Sequence, residues 1–425
     1  MHVLYRAGPY TVPATRGTGW RYALAIFLIA CASFAKLRAE EIPQINVMGE
    51  DILAEGAELR WGSMEFHPYV AFNYEWIDNL FYDKKNPEDD TLYTMVPGVN
   101  INWPFAGNHT AKLNWQSQVR RYNDNPDVNN HQQLGDAFLK LDYDRYWFEF
   151  RNKYAYLQEV GDIEITDRQI RWANDSSFQT GVRFERFDMI MGYTKRLRVW
   201  PKEEQHDLSY SEDQGHMTFD IKVKPTLDAF TRFEFKSIDY DDDLKFPDIR
   251  RNDQKRSTAI AGFKGSWGSS VGWSMAAGFE HIRLHKRTRS ARDSWGETAS
   301  DHPILRGSIK WDVVPERTLL EFSANRGVGL STGSDYADTL SLNLAVRHRW
   351  SQRLTTRAEV GFTDYNRAKG ADYQLFNAQV STQYRITRWA NAYLRYEYGE
   401  RNALDDPSGG DFRRNSVQLG VILAW

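Results

Sequence analysis

Short segments in which apolar and polar side chains alternate recur from residue 65 to residue 425, and this alternation constrains the fold more than any other feature of the sequence. Leu342 and Leu344, for example, alternate with Ser341 and Asn343. A period of two belongs to β-strands, because successive side chains of a strand point to opposite faces of its sheet. Each segment therefore predicts a strand with one apolar face and one polar face.

The connections between these segments alternate between short and long. Short ones fall near 144–145, 186, 224–226, 269–270, 351–352 and 387–388, and long ones fall at 77–91, 123–130, 159–176, 199–213, 241–255, 287–301, 327–337 and 402–410. Outer-membrane barrels have short turns at one end and long loops at the other, whereas sandwiches and propellers have no reason to sort loop lengths in this way. The sequence predicts an all-β fold, a transmembrane antiparallel up-and-down β-barrel of about 18 strands, with 16 strands as the alternative count.

Composition agrees with a barrel of this kind. The mean hydropathy is −0.64 and 26% of the residues are charged. Both values look typical of a soluble protein, but a barrel that alternates lipid-facing apolar residues with lumen-facing polar residues averages to similar values. Hydropathy therefore does not exclude a membrane.

The first 39 residues are expected to be a secretory signal peptide. The apolar run at 22–35 is too short to span a membrane as a helix, and it follows several arginines with no acidic residue before Glu40. Residues 40–64 then predict a periplasmic N-terminal tail, and residues 65–425 the barrel. Removing residues 1–39 takes five of the 54 basic residues and leaves a formal charge of about −8, which argues against nucleic acid as a partner.

Cys31 closes a tetrapeptide, Leu-Ile-Ala-Cys, that matches a lipoprotein cleavage box. In that interpretation Cys31 would become a lipid-modified N-terminus. The alternative is a small apolar residue in the discarded run, since a barrel already has its membrane anchor. No disulfide can form within the chain in either case, because Cys31 is its only cysteine.

The last segment ends on an aromatic residue and is apolar at every second position from Val417 onward. It resembles the terminal strand of bacterial outer-membrane β-barrels, whose final aromatic residue is recognised by the barrel assembly machinery. The resemblance implies that Val421, Leu423 and Trp425 form an assembly signal. It also implies a location in the outer membrane, in contact with lipid and lipopolysaccharide.

The polar faces of the strands define the expected lumen. A Lys or Arg on the lipid face would cost about 2–4 kcal/mol at mid-membrane, so the charged side chains are assigned to the inside. They predict an aqueous channel with a slight basic excess, although a cross-strand ion pair explains any single charge more readily. Tyr69, Phe138, Trp147 and Tyr393 share this face and could stack on sugar rings. The residues expected to set the field of the pore are Arg120, Arg151, Lys153, Arg232, Lys264, Arg306, Lys310, Arg347, Arg357, Glu359, Arg385, Arg395 and Glu397.

No segment predicts a metal or cofactor site. His281 and His285 are four residues apart, about 13 Å along a strand, so they cannot share one ion. The acidic run at 239–243 is followed by Leu244 and Arg250 where a calcium loop needs a glycine and a bidentate glutamate. No nucleophile elbow or phosphate loop is visible, so the protein is not expected to be an enzyme. A structural or adhesive barrel acting through its external loops and a hydrolase at the barrel rim remain the alternatives.

The start of the expected barrel carries a more specific pattern. His67-Pro68-Tyr69 opens the first strand, Asp78-Asn79-Leu80-Phe81 follows it, Thr91-Leu92 and Val96-Pro97-Gly98 lie in the second, and Tyr122 closes the third. This resembles an outer-membrane β-barrel porin family associated with bacterial exopolysaccharide production and export. The resemblance implies a porin-like channel that passes solutes or takes part in exopolysaccharide export, with polysaccharide export components as partners. It implies no catalytic or binding residues.

Overall fold

The computed structural model describes residues 59–159, 169–202, 208–241, 252–285, 297–331, 334–367, 372–404 and 411–425. Within these ranges the chain forms a single antiparallel sheet of 19 strands, with one 3-10 turn at Pro126–Val128. The strands are β1 Leu59–Trp61, β2 Met64–Ile77, β3 Asp90–Phe105, β4 His109–Tyr122, β5 Asn130–Tyr143, β6 Tyr146–Glu159, β7 Gln169–Arg183, β8 Phe187–Val199, β9 Tyr210–Lys224, β10 Leu227–Tyr240, β11 Asp253–Trp267, β12 Val271–His285, β13 Glu297–Val314, β14 Thr318–Ser331, β15 Ser334–Arg349, β16 Leu354–Arg367, β17 Tyr373–Thr387, β18 Ala390–Ala403 and β19 Phe412–Ala424.

No helix in the described ranges is long and apolar enough to cross a membrane. The expected signal peptide at 1–39 lies outside the described residues. The expected tail at 40–64 also does, apart from residues 59–64, which contain β1 and the first residue of β2.

Strands β2 to β19 close into a barrel of 18 strands. Each pairs antiparallel with the next, and β19 pairs with β2, where Val421 lies opposite Phe72. The predicted up-and-down topology and the count of 18 are confirmed. Strand β1 pairs with the start of β2, on the part of that edge that β19 does not reach. Trp425, the residue that follows β19, donates its backbone N–H to the Pro68 carbonyl at 3.0 Å. Closure leaves the wall without the two free edges of an open sheet.

The two ends of the barrel differ. One end, here called the short-turn end, carries the connections at 106–108, 144–145, 184–186, 225–226, 268–270, 315–317, 350–353 and 388–389. The other, the long-loop end, carries the remaining connections. Both the start of β2 and the end of β19 lie at the short-turn end, as expected from an even number of strands.

Alternation separates the side chains of the wall into an outer and an inner set. On β2, Phe72, Tyr74 and Trp76 are exposed, whereas Tyr69 and Ala71 are buried. The exposed apolar set forms the outer surface, and most of the buried polar side chains belong to the inner one. An apolar exterior around a polar interior is the pattern of a barrel that spans a membrane.

Strands β6 to β9 interrupt the apolar exterior. On the outer face of β6 and β7, the Asn152 Nδ2 donates to Ser176 Oγ at 2.8 Å and to Asn174 Oδ1 at 3.2 Å. On the next two strands, Lys195 and Asp213 form an ion pair at 3.2 Å. The partners in each group lie on adjacent strands of the outer face, so these polar side chains bond one another and need no contact with groups inside the barrel.

Aromatic rings lie over glycines on the inner face and fix the strand register. Tyr69 covers Gly98 directly opposite it on β3, and Tyr393 covers Gly420 on β19 in the same way. A Cβ at either glycine would overlap the tyrosine ring, so these positions require glycine. The Tyr69 hydroxyl also donates to Gln116 Oε1 at 2.9 Å, which extends the contact to a third strand.

The expected long connection at 327–337 is wrong. β14 continues to Ser331 and β15 begins at Ser334, so only residues 332–333 separate them. Cross-strand pairs such as Gly327 with Thr339 hold this hairpin together. Its glycine-rich sequence is typical of a loop, but in the described part of this hairpin, here called the β14–β15 tip (residues 327–331 and 334–337), Leu330 packs against an apolar cluster of the inner wall and the Val328 carbonyl accepts a hydrogen bond from Arg256.

Candidate functional site

The inner surface of the barrel is the candidate site. The strand register places every residue expected to set the field of the pore on this face, because each lies directly opposite inner-face partners on the adjacent strands. These residues are Arg120, Arg151, Lys153, Arg232, Lys264, Arg306, Lys310, Arg347, Arg357, Glu359, Arg385, Arg395 and Glu397. Their role in conduction stays a prediction.

Many of these charges are paired with neighbours along the wall. Lys264 on β11 reaches Asp220 on β9 at 2.9 Å, and Lys310 on β13 lies 3.7 Å from Glu321 on β14. Arg151 forms a bidentate pair with Asp136 across β5 and β6. These cross-strand pairs stabilise the register of the strands and also neutralise part of the charge on the inner wall. The inner surface therefore acts on a passing ion through its summed field more than through single residues.

A denser ionic network lines the inner wall from β7 to β13. Arg198 and Asp175 are 2.6 Å apart, and Arg256 lies 3.4 Å from Glu280. The buried Glu212 carboxylate receives both Arg196 and Lys236, the latter at 3.5 Å. Because the partners are largely buried together, the network stiffens this side of the lumen.

The sequence argument missed part of this network. Glu212 fell in the connection expected at 199–213, and Arg196, Arg198 and Arg256 lay near the ends of predicted strands, and none of the four was assigned to the lumen. The signal was present, since all four continue the inner-face series of their own strands.

Toward the short-turn end the wall carries a basic group on β15 to β17. Arg347 lies directly opposite Arg357, and Arg385 lies on the following strand. Glu359 is the acidic neighbour, 3.0 Å from Arg357. Two guanidinium groups therefore occupy facing positions on the inner wall, with the Glu359 carboxylate beside Arg357.

The long-loop end is narrowed by apolar clusters on the inner side. One contains Ile77, Leu80, Leu92, Tyr122 and Val128, and its members come from β2, β3, β4, the connection between β2 and β3 and the connection between β4 and β5. Another, here called the β8–β10 cluster, joins side chains of β9 and β10 with two from the connection between β8 and β9. Leu330 of the β14–β15 tip packs against it. Its members are Trp200, Leu208, Tyr210, Ile238 and Tyr240. In the described part of the chain, two apolar clusters therefore lie on the inner side at the long-loop end.

Comparison with known families identifies the chain. The sequence profile described as Putative beta-barrel porin 2 matches residues 202–424, which is more than half of the 425 residues. The protein belongs to this porin family. The match covers β9 to β19 and says nothing about exopolysaccharide.

Solved outer-membrane proteins are similar in fold to this porin at low identity. OpdK of Pseudomonas aeruginosa is 10% identical, over 85% of this chain and 99% of that chain, with a TM-score of 0.43. OccAB4 of Acinetobacter baumannii is 9% identical, over 85% and 98%, with a TM-score of 0.43. OmpT of Vibrio cholerae is 10% identical, over 87% and 100%, with a TM-score of 0.36. Comparison with curated proteins finds no match.

The opening motif of this porin has a structural explanation in the first loop of the long-loop end. The Asp78 carboxylate accepts the backbone N–H of Asn415 on β19 at 2.6 Å. The Asn79 amide donates to the carbonyl oxygens of Asp83, at 2.8 Å, and Arg413, at 2.9 Å. Leu80 is buried in the apolar cluster. The motif therefore ties the first loop to the last strand, where the barrel closes.

A carboxylate at the start of β3 also fixes this region of the long-loop end. The buried Asp90 accepts the backbone N–H groups of Asn123, Asp124 and Asn125, each at 3.1 to 3.2 Å. This holds the connection after β4 against the first loop. An Asn/Asp-rich loop therefore has a packing role here.

The aromatic side chains expected to contact sugars are mostly covered. Tyr69 is 3% exposed, Tyr393 6% and Trp147 9%, and each lies over a glycine on the adjacent strand. A ring that is buried in this way has no free face for stacking on a sugar. Phe138 is the partly exposed member of the four.

No group of three or more potential metal ligands occurs among the described residues. His281 lies on the outer face of β12, where its Nδ1 is 2.7 Å from Asp301 on β13. The described part of the inner surface thus offers charged and amide groups along the wall of the barrel.

Proposed function

We propose that the protein is an outer-membrane diffusion channel that passes small polar solutes through its lumen, with a weak preference for anions. The observation that carries the proposal is the closed wall with an apolar exterior and an inner face of ionic and amide side chains. A wall of 18 strands is too wide for its own side chains to fill, so water can occupy the interior. Membership of a porin family supports the same conclusion.

The anion preference is argued from the basic group on β15 to β17. Arg347 and Arg357 face each other on the lumen side, and the network on the opposite wall is largely neutralised by its own carboxylates. The surplus field in the lumen is therefore positive near the short-turn end. The proposal assigns the protein no catalytic role.

The location follows from the same wall. A closed barrel pairs its strands around the whole wall, so that backbone hydrogen bonds are made between strands as a membrane interior requires, and an outer face rich in aromatic residues suits lipid contact. We place the short-turn end in the periplasm. Lipid, lipopolysaccharide and the barrel assembly machinery are the partners that this placement implies.

Export of an exopolysaccharide is the more specific version of the proposal, with export components as partners. Its support is the resemblance of the first strands alone. The covered aromatic rings offer a polysaccharide no free face for stacking, so we advance the small-solute channel.

The decisive experiment is single-channel recording of the purified protein in a planar bilayer. Discrete conductance steps are expected, with a reversal potential that indicates anion preference in a salt gradient. Folded protein that shows no steps at any voltage or salt concentration would refute the channel and favour a barrel that acts through its loops. Liposome swelling with small sugars against oligosaccharides then measures the size limit and separates solute passage from polymer export.

Orientation is tested separately in intact cells. Epitope tags in 241–255 or 287–301 should be reachable from outside, whereas tags at Ser269 or Ser351 should not. Reversed labelling would place the short-turn end at the cell surface and contradict the assigned orientation.

A further inference from the structure

We propose that the outer face of β14 to β16 is the interface of a homodimer, in which two copies of the chain lie side by side in the membrane. The two-fold axis of the dimer runs along the membrane normal beside Leu340 on β15. Arg326 on β14 of each copy then pairs with Asp364 on β16 of the other copy. The inference goes beyond the proposed function, because it concerns the outer wall and holds whether or not the lumen conducts.

Arg326 is an exposed cation on the lipid-facing side of the wall. It lies directly opposite Leu305 on β13 and Leu340 on β15, each of which is 41% exposed. A strand tilted by about 40° rises about 2.5 Å per residue, so Arg326, eight residues after Thr318, lies about 20 Å above the short-turn end. That depth is inside an apolar band of about 25 Å, where a charge needs a partner.

Arg326 has no ion pair among the described residues. Lys195, at a similar depth on the outer face of β8, pairs with Asp213 at 3.2 Å. Asp338 lies two residues from Leu340 in the outer series of β15, but its Oδ1 is 2.8 Å from His302 Nδ1. Arg326 therefore lacks the compensation that Lys195 has.

Asp364 is an opposite charge on the other side of Leu340. It lies directly opposite Leu340 on β16, and its Oδ1 accepts a hydrogen bond from the Gln374 amide at 3.0 Å. No Lys or Arg in the part of the chain that the structure describes pairs with it. The strands β14 and β16 are two strand spacings apart, about 9.6 Å, with the Leu340 side chain between the two charges. A cation and a carboxylate, each without a charged partner, therefore flank one leucine.

The two charges are arranged for a two-fold symmetric contact. When two walls meet face to face about an axis beside β15, β14 of one copy faces β16 of the other, and the same contact is made twice. Asp364 follows Leu354, at the short-turn end, by ten residues, so it lies about 5 Å higher than Arg326. An extended arginine side chain covers such an offset. Two ion pairs, one on each side of the axis, then remove all four charges from lipid.

The surface around these charges is aliphatic. The other outer-face residues of the three strands at this depth are Leu320, Phe322, Ala324, Leu340, Leu342, Leu344, Val346, Ala358, Val360 and Phe362. None of them is a tryptophan or a tyrosine, whereas β2 and β3 expose Tyr74, Trp76 and Tyr93. Short side chains such as Ala324 and Ala358 let a second wall approach closely, which favours association within a membrane.

A second copy fits this face better than a lipid or another protein. A lipopolysaccharide phosphate would satisfy Arg326 but would repel Asp364. Another protein would have to carry the inverse charges at the same spacing, whereas a second copy carries them by symmetry. Opposite charges across the interface also fix the register of the contact.

The first test is crosslinking beside the axis, in outer-membrane vesicles and in a Cys31→Ser background. Leu340→Cys gives each chain one thiol there, and a bis-maleimide of about 10 Å, the spacing of two facing sheets, should join two copies. Leu419→Cys is the matched control, because Leu419 is an exposed leucine on the outer face of β19. It should give little crosslinked dimer. Folding of each variant is checked by the heat-dependent gel mobility of the barrel.

The second test exchanges the charges. Arg326→Asp and Asp364→Arg each set like charges against one another at both contacts, so either variant alone should dimerise at least about tenfold more weakly. Both substitutions in one chain restore the pairs and should restore the dimer. The two single variants, co-expressed with different tags, also restore both pairs, but only between unlike copies. The crosslinked product should then be mostly heterodimer, captured through one tag and detected through the other.

Three outcomes would overturn the proposal. Equal yields of crosslinked product from Leu340→Cys and Leu419→Cys would show that the face has no specific partner. Rescue in the double variant without rescue in the mixture would show that Arg326 and Asp364 pair within one chain, across Leu340. Unchanged dimer yield in the single variants, with less lipopolysaccharide co-purified with Arg326→Asp, would assign Arg326 to a lipid phosphate. None of these results depends on conductance, so the channel function keeps its own test.

Discussion

Replacing Arg347, Arg357 and Arg385 together by Glu should convert weak anion preference into cation preference. Eighteen strands about 4.8 Å apart and tilted by about 40° enclose a wall of about 18 Å radius, so an extended Arg side chain leaves its charge about 10 Å from the axis. At that distance a unit charge contributes about 0.4 kcal/mol in water, and about 0.15 kcal/mol after screening at 0.1 M salt.

The three substitutions lower the local charge by six units, which amounts to about 0.9 kcal/mol, or about fivefold in the local concentration of each ion. At 1 M salt the same sum falls below about 0.1 kcal/mol, because the Debye length shrinks to about 3 Å. The assay is the reversal potential of single channels in a KCl gradient, measured at low and at high salt.

The control is the triple variant Arg145→Glu, Arg186→Glu and Arg317→Glu. These residues lie at the connections of the short-turn end, so the variant has the same net charge but leaves the inner face unchanged. Its reversal potential should shift much less. An equal shift in both variants would show that the net charge of the molecule, and not the inner face of β15 to β17, sets the selectivity. A shift that persists at 1 M salt would refute the long-range field as its cause.

Three further predictions concern assembly, register and the first loop. Leu423→Asp places a charge on the lipid face of the last strand and should leave the protein unassembled in the periplasm. Gln418→Ala, on the inner face of the same strand, should be tolerated. Equal membrane yields of the two variants by fractionation would contradict the assigned faces. Gly420→Ala should cost about 1–3 kcal/mol in urea unfolding, because the added methyl overlaps the Tyr393 ring. A hydrogen bond from Lys84 lowers the pKa of Asp411. This contact therefore stabilises the native first loop at neutral pH, and the stabilisation is lost as the pH falls through the depressed pKa. Proteolysis of residues 78–89 should rise in acid, and Asp411→Asn should remove that pH dependence.

The sequence predicted the barrel well because its evidence is local. A period of two is visible within any one strand, and the alternation of turn lengths follows from antiparallel pairing, so neither depends on distant contacts. The assignment of Arg347 and Arg357 to the inner face needed only their position in the alternation.

The parts that could not be predicted depend on contacts between distant segments. The glycines at 327 and 329 are typical of a loop, and nothing near them in the sequence shows that Leu330 packs against residues of β8 to β10. The covered ring of Tyr69 is a similar case, because its burial depends on Gly98 in the facing strand. Strand-end charges such as Glu212 were lost for a simpler reason, since uncertain boundaries removed them from the alternation.

The rings that lie over glycines divide the inner wall into two kinds of residue. Tyr69 with Gly98 and Tyr393 with Gly420 fix the alignment of neighbouring strands by shape alone, without using charge. The arginines and glutamates between them add cross-strand ion pairs, but the ring contacts do not depend on those pairs. A lineage of such barrels can thus acquire a new solute by exchanging ionic side chains while its scaffold stays unchanged. The same separation makes the lumen a practical starting point for engineered pores.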